Sequence, residues 1–334
     1  MGNYSVRRKK VEGHWTHHLI DAKRKMRLGF VADIGAWGYE FKVNGQDVLL
    51  APESLEAYRK ERGLGRGNPL MAPFANRIDR EHFFFQGKKY LLNNDLGNFI
   101  RAGGSNLPIH GLLAYDTRWQ VVKSGASPRQ GAFLTARIDF YKYPELMAQF
   151  PFAHVCEITY RLKDGQLECS TAVHNVGDSF MPVHFGYHPY FVPDGPRTNW
   201  TIHIAARKHW VVNDVLIPTG QLEPAEQFLP GSTRALTLGK AYIDGGFTDL
   251  VRDRKGLARF WTAGKIRKIE VVFDKNYQTA VVFAPLFTDM VCIEPQTGPT
   301  NAFNLQHEGK FGGLNVLAPD KTFQASFWII PTGY

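Results

Sequence analysis

Cysteine is scarce: the 334-residue chain has three, Cys156, Cys169 and Cys292. They are odd in number, widely spaced and mostly flanked by strand-like residues. This excludes a disulfide-stapled framework, reads as reduced core thiols, and offers no zinc-binding spacing among the cysteines. Long apolar runs are also missing. Stretches such as Val281-Val282-Phe283-Ala284 fall far short of the ~20 residues that a membrane-spanning helix needs. There is no Pro/Gly/Ser-rich linker, no internal repeat and no low-complexity tract, so nothing argues for a split into several domains. Arg7-Arg8-Lys9-Lys10 is not followed by an apolar stretch, and Val6 stands where a myristoylation signal has Ser or Thr; the expected compartment is the cytoplasm. Helical periodicity is confined to Ser54 to Arg62, with Ser54 as N-cap and Glu56 in the first turn.

What the chain does have is core-forming material. It is 44% hydrophobic and 13% aromatic with 21% charged residues, the composition of a globular protein with a substantial interior. Its formal charge of +9 raises the question of nucleic acid. The one basic run lies near a terminus and reads as a solvated tail, while the other cations are dispersed. No nucleic-acid or membrane partner is expected, and a phosphorylated sugar suits the excess charge as well.

Hairpin signals recur at Phe41 to Leu49 around Asn44-Gly45, at Phe83 to Tyr90 around Gln86-Gly87, and at Tyr160 to Leu167 around Asp164-Gly165. Asn-Gly and Asp-Gly supply the positive φ angles of two-residue turns. Leu167, Cys169, Thr171 and Val173 alternate with Glu168, Ser170 and Ala172, the period of a strand with one wet face. Similar strands are expected over Ala132 to Tyr141, His154 to Leu162, Ile269 to Phe273 and Thr279 to Phe283. The fold class is therefore all-β, a single domain of packed antiparallel sheets over residues 30–334, preceded by a partly basic N-terminal segment, residues 1–29.

Four segments concentrate polar groups in apolar surroundings: Pro73 to Ile78, Ile109-His110-Gly111, His184 to Phe191, and Ile293 to Asn301. One site recruiting all four must be lined by several strands of a large sheet, which suits a concave sugar cleft. Arg77, preceded by Asn76, is either a rigid multi-donor fork for hydroxyls or half of a buried ion pair. His110 before Gly111 sits where a backbone can approach a ligand closely, or is simply structural. His184 and His188 are four apart, which raises a metal site, but no third ligand lies nearby in sequence. Gly186 and Pro189 interrupt pairing, so His188 is expected at a strand end facing a cleft. His184 is then the structural member, and Tyr187, Tyr190 and Phe191 supply packing or stacking surface. Glu294 follows the apolar Met290-Val291-Cys292-Ile293, so its carboxylate is expected to be buried and its pKa raised, unless a salt bridge holds it.

In order, Asn-Arg-Ile, His-Gly, Gly-x-His-Pro-Tyr-Phe and Glu-Pro-x-Thr-x-Pro-x-Asn resemble the aldose 1-epimerase (galactose mutarotase-like) family. Asn175-x-Gly177-Asp178 leading into Met181-Pro182 adds to the likeness, which spans roughly residues 30 to 330. The resemblance implies a β-supersandwich and cofactor-free, metal-free interconversion of α and β anomers of an aldose. It implies Glu294 as catalytic base, His188 as catalytic acid, His110 near the ring oxygen, and Asn76 and Arg77 as substrate-binding residues. Asp244, in Asp244-Gly245-Gly246-Phe247, is similar to the family's hydroxyl-binding aspartate. The partner is then a monosaccharide or sugar phosphate, and the protein a monomer or weak dimer. Leu112-Leu113 stand where galactose mutarotases have a second glycine, and Pro189 is extra in the histidine motif, so galactose itself does not follow. The alternatives are a sugar-phosphate mutarotase and a non-catalytic carbohydrate-binding protein.

Overall fold

Turn chemistry sets the local topology. In the computed structural model, which describes residues 2–62 and 65–334, Asn44-Gly45 and Asp164-Gly165 adopt positive φ. They close hairpins whose strands pair in antiparallel register. The expected strand alternation is present: over Gln166–Asn175, residues 167, 169, 171, 173 and 175 are buried while their neighbours are half-buried. The strand expected over 132–141 ends at Asp139, where Phe140–Lys142 turn into a 3-10 segment.

These hairpins merge into two large sheets, one of thirteen strands and one of nine. The larger begins with β1 (Tyr4–Val11), β2 (His14–Asp21), β3 (Met26–Val31), β4 (Trp37–Val43) and β5 (Gln46–Leu49). It continues through Tyr190–Phe191, Val291–Gln296, Thr279–Ala284 and Ile243–Leu250. The smaller is centred on Gln166–Asn175 and Thr322–Thr332. Aromatic rings from both faces fill the space between: Phe30 meets Tyr160 at 5.7 Å and Tyr187 meets Phe327 at 5.1 Å, centroid to centroid. One buried polar pair there spans the layers, Asn68 Nδ2 donating to Tyr160 Oη at 2.9 Å. Three cysteines are free and buried, as their flanking residues imply.

The expected helix is α1 (Leu55–Glu61), with the Ser54 hydroxyl accepting from the Ala57 amide. Three shorter helices, Pro144–Gln149, Ala225–Phe228 and Ala302–His307, were not anticipated, being too short for periodicity to register. Among the described residues no helix is long and apolar enough to cross a membrane.

The N-terminal residues differ from expectation. Arg7 to Lys10 are not a tail: they lie in β1, paired along its length with β2. The boundary expected between residues 29 and 30 falls inside β3, so 4–31 are part of the larger sheet. The basic residues are mostly exposed on an edge strand, and Arg8 lies 3.8 Å from the centroid of Trp15. Charge on an edge strand discourages pairing with another chain, which accounts for its placement.

Candidate active site

Strand register builds the floor of the site. Residues directly opposite in a ladder share a face. Asp244 pairs with Phe283, Phe283 with Cys292, and Cys292 with Tyr190, so these four form one row across one side of the sheet. Glu294 is two residues on from Cys292 and pairs with Val281, which starts the neighbouring row. His188 is two residues before Tyr190 in a stretch split by Pro189. Its amide leaves the regular ladder and donates to the Pro69 carbonyl at 3.1 Å.

The result is close approach. His188 Nε2 lies 3.2 Å from Glu294 Oε1, with both side chains buried. The imidazole stacks on Tyr190 at 4.5 Å and 10° and meets the His110 ring edge-on at 5.3 Å. Gln296 Nε2 donates to the other carboxylate oxygen, Glu294 Oε2, at 3.2 Å.

Two loops form the wall. Asn76 and His110 have φ of 57° and 63°, and the His110 amide donates to the Asn76 carbonyl at 3.0 Å. Asn76 Oδ1 accepts from both the Arg77 amide, 2.9 Å, and Arg77 Nη1, 3.0 Å, so this amide aims the guanidinium. Arg77 Nε is buried without a partner, and among the described residues Arg77 forms no ion pair; the buried-pair alternative is not what the structure shows. Gly111 sits at φ 73° against the Ala72 backbone, where a Cβ would come within 2.1 Å of the carbonyl oxygen. Gly111→Ala is therefore expected to lower unfolding free energy by about 3 kcal/mol, measurable by urea melts, because both the φ and the contact forbid a side chain.

All six residues singled out, Asn76, Arg77, His110, His188, Asp244 and Glu294, line one cavity of about 260 Å³. Its volume falls near the lower end of small-molecule sites. Burial, reinforced by the negative charge of Asp244, raises Glu294 well above the ordinary carboxylate range, while the Gln296 amide and Arg77 oppose it. Burial lowers His188 to about 3 and lowers His110 well below its usual value, with His188 and Arg77 adding to the effect at His110. Burial also raises Asp244, opposed by Arg77 and by the Tyr242 hydroxyl.

Other residues fall elsewhere. His184 does not join His188: its Nε2 faces the Gly298 carbonyl at 3.2 Å in the protein interior. Of the three aromatic residues expected to pack or stack, Tyr187 and Phe191 are fully buried in the core and Tyr190 stacks on His188; the Tyr187 hydroxyl bonds Thr171 at 2.5 Å. The donors near His188 that sequence spacing lacked are supplied by folding, as Cys292 and Glu294. Gln296, Arg62, Arg101 and Phe283 also contribute and were not singled out. Gln296 had a signal, the two-residue spacing from Glu294. The arginines had none, because nothing local marks which surface cations face a cleft.

Fold and site together define a class: a large β-sandwich whose larger sheet buries an imidazole–carboxylate pair on the lining of a polar cleft. The sequence profile of the aldose 1-epimerase family matches residues 19–329. The chain belongs to that family. Among solved structures, a galactose mutarotase-like protein from Clostridium acetobutylicum superposes with a TM-score of 0.86 at 21% identity over 99% of both chains. A Synechocystis sp. PCC 6803 protein gives 0.74 at 25% over 100% of both. Galactose 1-epimerase from Lactobacillus acidophilus NCFM gives 0.76 at 14% over 98% of both.

Proposed function

We propose that this protein is an aldose 1-epimerase that opens and recloses a sugar hemiacetal, with Glu294 and His188 as the acid–base pair. The observation that carries this reading is their 3.2 Å approach at the floor of the cleft. The two oxygens that exchange protons in a hemiacetal, the anomeric hydroxyl and the ring oxygen, are bonded to the same carbon, so two catalytic atoms in near contact suit them.

Burial disfavours charge on either partner, raising Glu294 and lowering His188, so the pair retains one proton between them. Moving that proton across the 3.2 Å between Glu294 Oε1 and His188 Nε2 converts the neutral pair into carboxylate and imidazolium without changing net charge. In that form Glu294 takes the anomeric hydroxyl proton while His188 donates to the ring oxygen. The bond from C1 to the ring oxygen breaks, and a free aldehyde results. Rotation about C1–C2 and the reverse transfers close the other anomer and restore both residues. Each positioned acid or base contributes about 10²–10⁴-fold. Arg77, Asp244 and His110 surround the ring and orient its hydroxyls.

A non-catalytic carbohydrate-binding role leaves the buried pair unexplained, since a binding site gains nothing from a desolvated carboxylate against a desolvated imidazole. A phosphorylated aldose is the second reading, favoured by Arg62 and Arg101 on the cleft lining. Arg101 is held by Glu81 and Asn94, whereas Arg62 spends one nitrogen on the Gly97 carbonyl. Saturation-transfer NMR on glucose, galactose and their 6-phosphates decides: exchange between anomers is expected to accelerate for at least one. Rates at the uncatalysed value for all four would sink the proposal.

A further inference from the structure

The row of residues behind the acid–base pair contains a group with no part in the proposed reaction. Cys292 is fully buried, and its thiol donates to the Met290 thioether sulfur, at 3.6 Å. Yet it shares the cleft face with Glu294 through two-residue strand spacing, and it stands beside Tyr190, on whose ring His188 is stacked. One donor atom each from His188, Cys292 and Glu294 lie within 4.8 Å of one another. Among the described residues this is the one such grouping of three.

We propose that this floor is a site for a thiophilic divalent cation, Zn²⁺ or Cd²⁺, bound by Cys292, His188 and Glu294 and inhibitory to the reaction. A thiolate, an imidazole and a carboxylate are the mixed sulfur, nitrogen and oxygen set that zinc takes in tetrahedral sites, whereas magnesium and calcium want oxygen throughout. Two of the donors are fixed by a single strand and the third is held by stacking, so the ligand set is assembled before the cation arrives. The adjoining cavity of about 260 Å³ leaves the fourth position to water. Binding forms a sulfur–metal bond as the thiol proton leaves to solvent together with the proton held by the His188–Glu294 pair, and it occupies the same His188 and Glu294 atoms that a sugar would use. Inhibition is therefore competitive with sugar. This consequence rests on the proposed function, whereas the binding itself does not.

The test titrates the full chain with Cd²⁺, reading thiolate-to-cadmium charge-transfer absorption beside mutarotation by polarimetry. Wild type is expected to show a band saturating at one cation per chain and inhibition relieved by excess sugar but not mimicked by Mg²⁺. Cys292→Ser is expected to mutarotate like wild type, lose the band, and need at least about tenfold more cation for half-inhibition. Cys292→Ala serves as a second variant should the serine hydroxyl disturb folding. A band that survives in both variants, assigning it to Cys156 or Cys169, overturns the site, as does equal inhibition of wild type and variants. The two proposals fail separately: a band without mutarotation of any sugar refutes the function alone, and mutarotation without a band refutes the metal site alone.

Discussion

Glu294→Gln is expected to reduce kcat for anomer exchange by about 10²–10⁴-fold while leaving the fold intact. The side chains are isosteric, and the amide oxygen still accepts from Gln296 Nε2, which lies 3.2 Å from Glu294 Oε2 in the wild type. What is lost is the capacity to take and return a proton beside His188. Thermal stability is expected to stay level or rise, because a buried neutral amide replaces a carboxyl whose ionisation burial opposes. KM is expected to change far less than kcat, since hydroxyl contacts come from other residues. Polarimetry with calorimetry checks both parts. Equal rates for wild type and variant at equal stability would remove Glu294 from the mechanism.

The second large effect is on stability in acid. His154 and His184 are buried, and burial lowers each from 6.5 to about 4. Burial is the cause: the contacts of His154 Nδ1 with the Phe152 carbonyl and of His184 Nε2 with the Gly298 carbonyl favour the charged ring and offset burial only in part. Between about pH 4 and 6.5 the unfolded chain binds these protons and the folded chain does not, so stability falls as the pH drops. Full stability is present above the unfolded-state value. The loss is complete once the pH is below the folded-state values and amounts to about 3 kcal/mol for each histidine. Buried carboxyls such as Asp274, also raised by burial, act in the opposite direction and moderate the total. Urea melts across this range should show the midpoint falling on acidification, less steeply in His184→Gln. The same pH dependence in wild type and His184→Gln would show that the His184 ring is not held neutral.

Several parts of this molecule were legible without coordinates because they depend on a few neighbouring residues. Asn44-Gly45 and Asp164-Gly165 dictate tight turns through their positive φ, and Ser54 caps α1 through its own hydroxyl. Other parts were not. Arg7 to Lys10 look the same as a tail or as an edge strand, and only pairing with β2 distinguishes the two. Cys292 is one apolar-flanked cysteine of three until register sets it between Phe283 and Tyr190. Arg62 ends α1 in a left-handed conformation, and nothing in its local sequence says that it faces the cleft.

By itself the sequence determined the antiparallel all-β character and which residue types carry the chemistry: a carboxylate after an apolar run, a histidine in an interrupted strand, and an Asn-Arg pair. Turn geometry and alternation are short-range properties, and they survive without knowledge of the partner strands. Tertiary structure alone decided that Glu294 and His188 meet at 3.2 Å, that Asn76 aims Arg77, and that His184 turns away. Distance and desolvation are sums over residues remote in the chain, brought together only when the sheets pack. The altered protonation of the pair comes from that packing rather than from either residue.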